Sequence, residues 1–117
     1  MRVLLIDDHS AFRVNATRAL EAEGHDVVGT AADGISGLRA ALELLPDVVL
    51  LDIGLPDISG LEVARAIHRE APLLPVVLIS THDAGEFGEL ARSHGARGFL
   101  TKEELSGDAL SRVIAVG

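Results

Sequence analysis

Short apolar runs alternate with segments of helical period along the chain. The runs span three to five residues, and all but the second, which begins with Asp26 and ends with Thr30, are free of charged and polar side chains. Such runs are typical of buried strands. Five strands are predicted, at residues 3–6, 26–30, 48–51, 76–79 and 98–100. A segment with apolar residues three, four and seven positions apart follows each run, which predicts a helix after every strand. The pattern therefore indicates five strand–helix units.

The predicted helices carry recognisable boundary signals. The first is expected over 11–23, with Gly24 as a left-handed C-cap. Ser59 with Glu62, and Asp83 with Glu86, have the spacing of capping boxes that begin the third and fourth helices. The apolar faces expected on the first two helices are Phe12, Ala16, Ala19 and Leu20, and Leu38, Ala41, Leu42 and Leu45. Pro46 ends the second pattern.

Strictly alternating strands and helices predict parallel pairing with right-handed crossovers. Strands that are apolar on both faces fit a sheet covered by helices on both sides. The expected fold class is therefore α/β, with a doubly wound, five-stranded parallel sheet. At 117 residues the chain is long enough for one domain with its own core.

Composition and charge exclude several kinds of function. The chain has no cysteine, so disulfides, thiol catalysis and thiolate metal sites are ruled out. A net charge of −8 disfavours binding to nucleic-acid phosphates. No apolar run approaches the roughly 20 residues of a membrane span, and the first one is too short for a signal peptide. We expect a cytoplasmic protein that does not contact a membrane.

Polar side chains follow the predicted strands on the side where a parallel sheet binds its ligands. They are Asp7 and Asp8, Asp52, Ser80 and Thr81, and Thr101 and Lys102. A lone aspartate in such a place usually caps a helix or forms a turn. Three acids, a hydroxyl and an ammonium converging on one edge instead indicate a functional site.

Three carboxylates in one cleft repel each other, since two unit charges about 4 Å apart cost roughly 4 kcal/mol at an effective dielectric of 20. Mg²⁺ would relieve this repulsion, because it prefers oxygen ligands and phosphate oxygens. We expect Asp8 and Asp52 to bind it directly and Asp7 through water. Asp52 could then accept a phosphoryl group, with Lys102 and Ser80 contacting the phosphoryl oxygens.

The same residues carry a family resemblance. Asp7-Asp8-His9, Asp52-Ile53-Gly54-Leu55-Pro56, Ser80-Thr81 and Lys102 resemble, in order and spacing, the receiver domains of two-component response regulators, above all the NarL/FixJ-type branch. The resemblance implies a flavodoxin-like (CheY-like) three-layer sandwich with strand order 2-1-3-4-5. It implies that residues 1–117 form a receiver domain. A helix-turn-helix effector domain would lie outside this chain, and DNA would be bound only through that domain.

The resemblance also implies a role for each matching residue. Asp52 would be the phosphoacceptor for a sensor histidine kinase, and Asp7 and Asp8 the acidic pair for Mg²⁺. Gly54 would lend its backbone carbonyl to the metal, Ser80 would be the switch hydroxyl, and Lys102 the phosphate-contacting lysine. The resemblance thus implies a signalling switch rather than an enzyme with a separate substrate. The domain would catalyse only the transfer of a phosphoryl group onto itself and the later loss of that group.

The resemblance further implies a change at the partner surface on phosphorylation. The face of the fourth helix, fifth strand and fifth helix would rearrange, and the change would alter dimerisation and control transcription. Phe99 matches the family's inward-turning aromatic, although it is equally explained as a core residue. Glu103 stands where the family commonly has proline, which leaves the loop that aims Lys102 open to question.

Three alternatives remain. A haloacid-dehalogenase-type phosphatase would need Asp-x-Asp after the first strand, where this chain has His9 at the second acidic position. A flavodoxin-like binder would need a hydroxyl- and glycine-rich phosphate loop there. A degenerate receiver would bind partners without phosphorylation. The five histidines lack the spacing of a transition-metal site, although His9 and His82 could tune access to the site.

Overall fold

The computed structural model describes residues 1–81 and 84–116, apart from the side chains of residues 84–86 and 116. The predicted capping box of Asp83 and Glu86, and the role suggested for His82, fall outside these residues. The elements in chain order are β1 (Arg2–Ile6), α1 (Ser10–Ala22), β2 (Asp26–Ala31), α2 (Gly34–Leu44), β3 (Val48–Asp52), α3 (Gly60–Glu70), β4 (Val76–Ser80), α4 (Ala84–Ser93), β5 (Gly98–Thr101) and α5 (Gly107–Val116).

The five strands form one parallel sheet in the order β2-β1-β3-β4-β5. Residues of one face of the sheet pack against α2, α3 and α4, and residues of the other face against α1 and α5. Every residue of β3 and β4 is buried, as expected for central strands covered on both sides. The predicted three-layer α/β sandwich and its strand order are confirmed.

Two details of the predicted helix faces are wrong. Ala19 is exposed, because α1 turns Ala16 and Leu20 toward the sheet. Leu42 and Leu45 are also exposed, at 37% and 58%. Leu45 has a φ of 42° and ends α2 in the left-handed region, so it leaves the helical face that the periodicity assigned to it.

The cap predicted at Gly24 is confirmed. Gly24 has a φ of 92°, and its N–H donates to the Glu21 carbonyl while the His25 N–H donates to that of Leu20. These two bonds form a Schellman motif, which turns the chain from α1 into β2. Ser59 also caps α3, accepting a hydrogen bond from the Leu61 N–H at 3.1 Å.

Over the described part of the chain, each helix is too short or too polar to cross a lipid bilayer.

Candidate functional site

Asp7 is anchored at the carboxyl end of β1. Its N–H donates to the Ala31 carbonyl at 3.0 Å, which extends the β1–β2 ladder by one residue. Its carbonyl accepts a 2.7 Å hydrogen bond from the Arg13 guanidinium. With the backbone held on both sides, the Asp7 side chain lies fully buried at the sheet edge.

Asp52 is the last residue of β3 and is only 4% exposed. The Ile53 N–H donates to the Ile79 carbonyl at 3.2 Å, so the strand pairing continues beyond the aspartate. The Gly54 N–H approaches Asp52 Oδ1 at 3.4 Å. The loop after β3 therefore folds back over the carboxylate.

Gly60 brings the first turn of α3 against the backbone of Asp52. Its N–H donates to the Ile53 carbonyl at 2.8 Å, and a Cβ at this position would lie 2.1 Å from the Asp52 carbonyl oxygen. The hydrophobic pattern along the chain does not predict this close approach. The absence of a side chain is what allows α3 to begin directly behind the aspartate.

Lys102 enters the site from β5. Its N–H donates to the Ser80 carbonyl at 2.8 Å, and its side chain is 10% exposed. Nζ lies 2.7 Å from Asp7 Oδ2 and 3.6 Å from Asp52 Oδ2. It also lies 4.6 Å from the centre of the Phe12 ring, a cation–π distance. The lysine therefore contacts both buried acids.

Glu103 does not displace Lys102 from this position. Glu104 accepts a 3.0 Å hydrogen bond from the Thr101 N–H through its side chain, and its own N–H donates to the Thr101 carbonyl and hydroxyl. This closed turn holds the backbone on both sides of Lys102. The loop without proline thus aims its lysine at the acids.

Asp8 and His9 complete the rim of the site. Asp8 has a side chain 32% exposed, and His9 Nδ1 lies 3.3 Å from its Oδ1. The same ring nitrogen is 3.2 Å from Asp7 Oδ1, and the His9 N–H donates to that oxygen at 2.8 Å. His9 therefore bridges the two adjacent acids, a contact that sequence analysis did not predict.

The electrostatics of the site act on Asp52. Burial raises the pKa of its carboxyl, and the neighbouring Asp7 carboxylate raises it further. The Lys102 ammonium and the Gly54 N–H lower it, and Asp8 adds a smaller rise. The net direction is upward, so the folded protein disfavours the ionised form of this side chain.

The donor set fits a hard divalent cation. Ligand atoms of Asp7, Asp8, His9 and Asp52 all lie within 4.8 Å of one another. Asp7 Oδ2 is buried without a hydrogen-bond partner among the described residues, and its short contact with Lys102 is an ion pair. Buried carboxylate oxygens with capacity to spare are the ligands that Mg²⁺ takes in proteins.

A pocket of about 290 Å³ opens in front of Asp52. Ser80, at the end of β4, and Gly54 line it together with Lys102 and Phe87. Phe99 lies behind this wall. It is 8% exposed, and its ring centre is 5.5 Å from that of Phe87, with 28° between the ring planes. Phe99 is thus packed inward, one layer away from the acids.

Asp57 is a second residue whose position sequence analysis missed. Its carboxylate accepts hydrogen bonds from the N–H groups of Gly34 and Ile35, at 2.7 and 2.9 Å. These bonds hold the pKa of Asp57 below its ordinary value. The loop between β3 and α3 is thereby attached to the N-terminus of α2.

The sheet edge therefore brings Lys102 into contact with Asp7 and Asp52 and places Asp8 within 4.8 Å of both acids. Ser80 and Gly54 lie on the adjoining wall. The sequence model described as "Response regulator receiver domain" matches residues 3–114. This chain belongs to the response regulator receiver family.

Similar proteins agree with this assignment. The receiver domain is 41% identical over 103 residues to the response regulator GacA of Pseudomonas viridiflava, covering 87% of this chain and 48% of GacA. It is 35% identical over 117 residues to the transcriptional regulatory protein MctR of Rhizobium johnstonii, covering 99% and 55%. The signal receiver domain of NarL from Mycobacterium tuberculosis superposes with a TM-score of 0.85 at 38% identity, covering 96% and 94%.

The receiver domain spans about half the length of the curated relatives it matches. The predicted family membership is confirmed, because the relatives are response regulators of the GacA and NarL type and include a transcriptional regulator. The chain is thus a receiver domain of two-component systems. Its family membership excludes the haloacid-dehalogenase-type phosphatase and the flavodoxin-like binder as alternatives.

Proposed function

We propose that this receiver domain is a phosphorylation-dependent switch, in which Asp52 accepts a phosphoryl group from a sensor histidine kinase with the help of Mg²⁺. One observation carries the proposal: Asp52 is nearly buried, yet its carboxylate borders an open pocket and lies 3.6 Å from the Lys102 ammonium. A nucleophile in that position faces the phosphodonor while its neighbours compensate the charge of the incoming group.

In the proposed reaction an Asp52 carboxylate oxygen attacks the phosphorus of the donor's phosphohistidine. The new O–P bond makes an acyl phosphate, and the P–N bond to the donor breaks. Lys102 would turn from its ion pair with Asp7 toward a phosphoryl oxygen. The Ser80 hydroxyl, on the wall of the same pocket, would donate to another.

The metal would be held by Asp7, Asp8 and Asp52, with the Gly54 carbonyl as a further predicted ligand. When bound, Mg²⁺ would offset the negative charge shared by these carboxylates and the phosphoryl oxygens. The chain's own contribution is to hold the acids close together before any ligand arrives, through the backbone bonds of Asp7 and the buried strand end of Asp52.

The proposed output is a change at the surface of α4, β5 and α5. Ser80 would move toward the phosphoryl group. The stack between Phe87, which lines the pocket from α4, and Phe99 of β5 would then repack. Dimerisation there, and a DNA-binding effector domain beyond this chain, would convert the change into transcription control. We place the switch in the cytoplasm, where we expect its kinase to present the phosphohistidine.

Intact-mass analysis tests the proposal. Incubation with acetyl phosphate and Mg²⁺ is expected to add one phosphoryl group to the native domain and none to Asp52→Asn. Asp26→Asn is the matched control, because it changes an exposed aspartate at the start of β2, at the opposite end of the sheet, and should keep the label. Equal labelling of the native domain and Asp52→Asn would overturn the assignment. An unlabelled native domain would favour the phosphorylation-independent receiver.

A further inference from the structure

The His9 ring lies among the acids in a way that suits a metal ligand. Its Nδ1 is 3.2 Å from Asp7 Oδ1 and 3.3 Å from Asp8 Oδ1. Two donors that each bind one metal at about 2.1 Å lie roughly 3.0 Å apart in an octahedral site and about 3.4 Å apart in a tetrahedral one. His9 Nδ1 thus already lies at a ligand-to-ligand separation from each of the two carboxylate oxygens.

A cationic group of this chain borders this position, because the Lys102 ammonium lies 3.4 Å from His9 Nδ1. Its shorter contact, at 2.7 Å, is with the far oxygen of Asp7, Oδ2, so an ion held by Nδ1 and Oδ1 requires the ammonium to stay on the Oδ2 side. Oδ1 accepts the His9 N–H and keeps a further lone pair. The His9 side chain is 66% exposed, so its ring can adjust to a ligand without disturbing the core.

We propose that His9 Nδ1 is a nitrogen ligand of the acidic site, and that through it the receiver domain binds first-row transition ions such as Zn²⁺, Ni²⁺ and Co²⁺. Imidazole favours these ions, whereas Mg²⁺ prefers oxygen ligands and retains its waters. Mg²⁺ would therefore use the oxygen ligands of the site and not the His9 ring. His9 decides which metals occupy the site beyond Mg²⁺.

This inference rests on the proposed function only in placing a cation between Asp7, Asp8 and Asp52. The absence of a helical i, i+4 pair led sequence analysis to expect no transition-metal site. The structure instead assembles donors of a different kind, one imidazole beside carboxylates that follow two separate strands. Such a set has no spacing signature along the chain.

Calorimetric titration of the intact domain at one fixed pH tests His9. We expect His9→Phe to weaken Zn²⁺ binding by about 10- to 100-fold, the range in which loss of a supporting group in a metal site acts, and to change Mg²⁺ affinity less than twofold. His68→Phe, which removes an exposed histidine on α3, should leave both affinities unchanged. Unaltered Zn²⁺ affinity in His9→Phe would overturn the proposal.

A second measurement needs no variant. Zn²⁺ added to the ¹⁵N-labelled native domain should shift the His9 Nδ1 resonance, because this nitrogen binds the ion directly. Mg²⁺ should not produce a shift of that kind. Zn²⁺ binding with an unmoved Nδ1 resonance would contradict the inference. If Asp52 is labelled in Mg²⁺ but His9→Phe binds Zn²⁺ normally, only the inference fails. If His9→Phe loses Zn²⁺ while Asp52 is never labelled, the proposed function fails alone.

Discussion

Asp52 is a charged residue that the fold disfavours in its charged state. Burial and the Asp7 carboxylate together raise its pKa, and Lys102 offsets only part of this effect. A carboxyl whose pKa is higher in the folded than in the unfolded state binds its proton more tightly when folded. Its contribution to stability is therefore complete at low pH, and declines as the pH rises from the ordinary carboxyl range through the folded-state pKa.

Asp52→Asn should consequently stabilise the metal-free domain above that pH window. Asparagine resembles the protonated side chain in shape and lacks the repelled charge. We expect its Tm in EDTA at neutral pH to exceed that of the native domain by a few degrees, the effect of about 1 kcal/mol in a domain of this size. The difference should shrink as the pH falls toward the ordinary carboxyl pKa, as followed by far-UV circular dichroism.

Asp57 provides the comparison, since its pKa is shifted the other way. The Gly34 and Ile35 N–H groups favour its ionised form. Ionised Asp57 therefore stabilises the folded state at pH values above its unfolded-state pKa, and this contribution is lost as the pH falls through the lowered folded-state pKa. Asp57→Ala should lower the Tm at neutral pH and lose its effect in acid. If Asp52→Asn lowers the Tm at neutral pH as Asp57→Ala does, then ionised Asp52 does not destabilise the folded domain.

At the scale of elements, the site depends on how α3 meets β3. The N-terminus of α3 presses against the carbonyl of Asp52 through Gly60, and Ser59 caps that helix. The loop between the two elements is held to α2 by Asp57. Contacts made by α3 and by this loop thus help to set the position of the Asp52 backbone.

Gly60→Ala should destabilise the domain by about 1–3 kcal/mol, the usual cost of forcing extra atoms into a packed site. The new Cβ would meet the Asp52 carbonyl at 2.1 Å, so either α3 or the strand end must move. We expect a lower urea midpoint and slower labelling of Asp52 by acetyl phosphate in the fraction that remains folded.

Gly88→Ala is the matched control for this substitution. Gly88 lies within α4, and a Cβ there would meet nothing within 4 Å. Alanine is the better helix former by up to about 1 kcal/mol, so this variant should equal or exceed the native stability. A Gly60→Ala protein as stable as Gly88→Ala would refute the close approach of α3 to Asp52.

At the scale of the whole molecule, binding of the proposed metal would be linked to folding. The acids meet only in the folded chain, so an ion that binds them stabilises the fold, by about 2.7 kcal/mol at a concentration 100 times its Kd. We expect MgCl₂ to raise the urea midpoint without changing the m-value. The chain has no Trp or Tyr, so circular dichroism is the appropriate signal.

Two controls separate this linkage from general screening of the net charge of −8. NaCl at matched ionic strength should stabilise the domain less than MgCl₂ does. Asp8→Asn should remove most of the Mg²⁺ effect, because the side chain is partly exposed and its loss leaves the core unchanged. Equal stabilisation by the two salts would argue against a specific Mg²⁺ site.

Much of the fold was predictable because the signals are local and repeated. Apolar runs such as 48–51 identify buried strands, and the alternation with helices restricts the sheet to parallel pairing. Parallel strands end at the same edge, so Asp7, Asp52 and Lys102 could be expected to converge before any distance was known. The roles of these residues in phosphorylation stay predictions until Asp52 is labelled.

The sequence alone determined the α/β architecture, the acidic cluster and the family resemblance, because each depends on spacing along the chain. Only the tertiary structure decided that Leu45 leaves its helix face, that Gly60 approaches the Asp52 backbone, that Asp57 attaches its loop to α2 and that His9 contacts two acids. Those features depend on distances of a few ångströms between atoms whose positions are set by the packing of neighbouring elements. Periodicity along the chain carries no information about such distances.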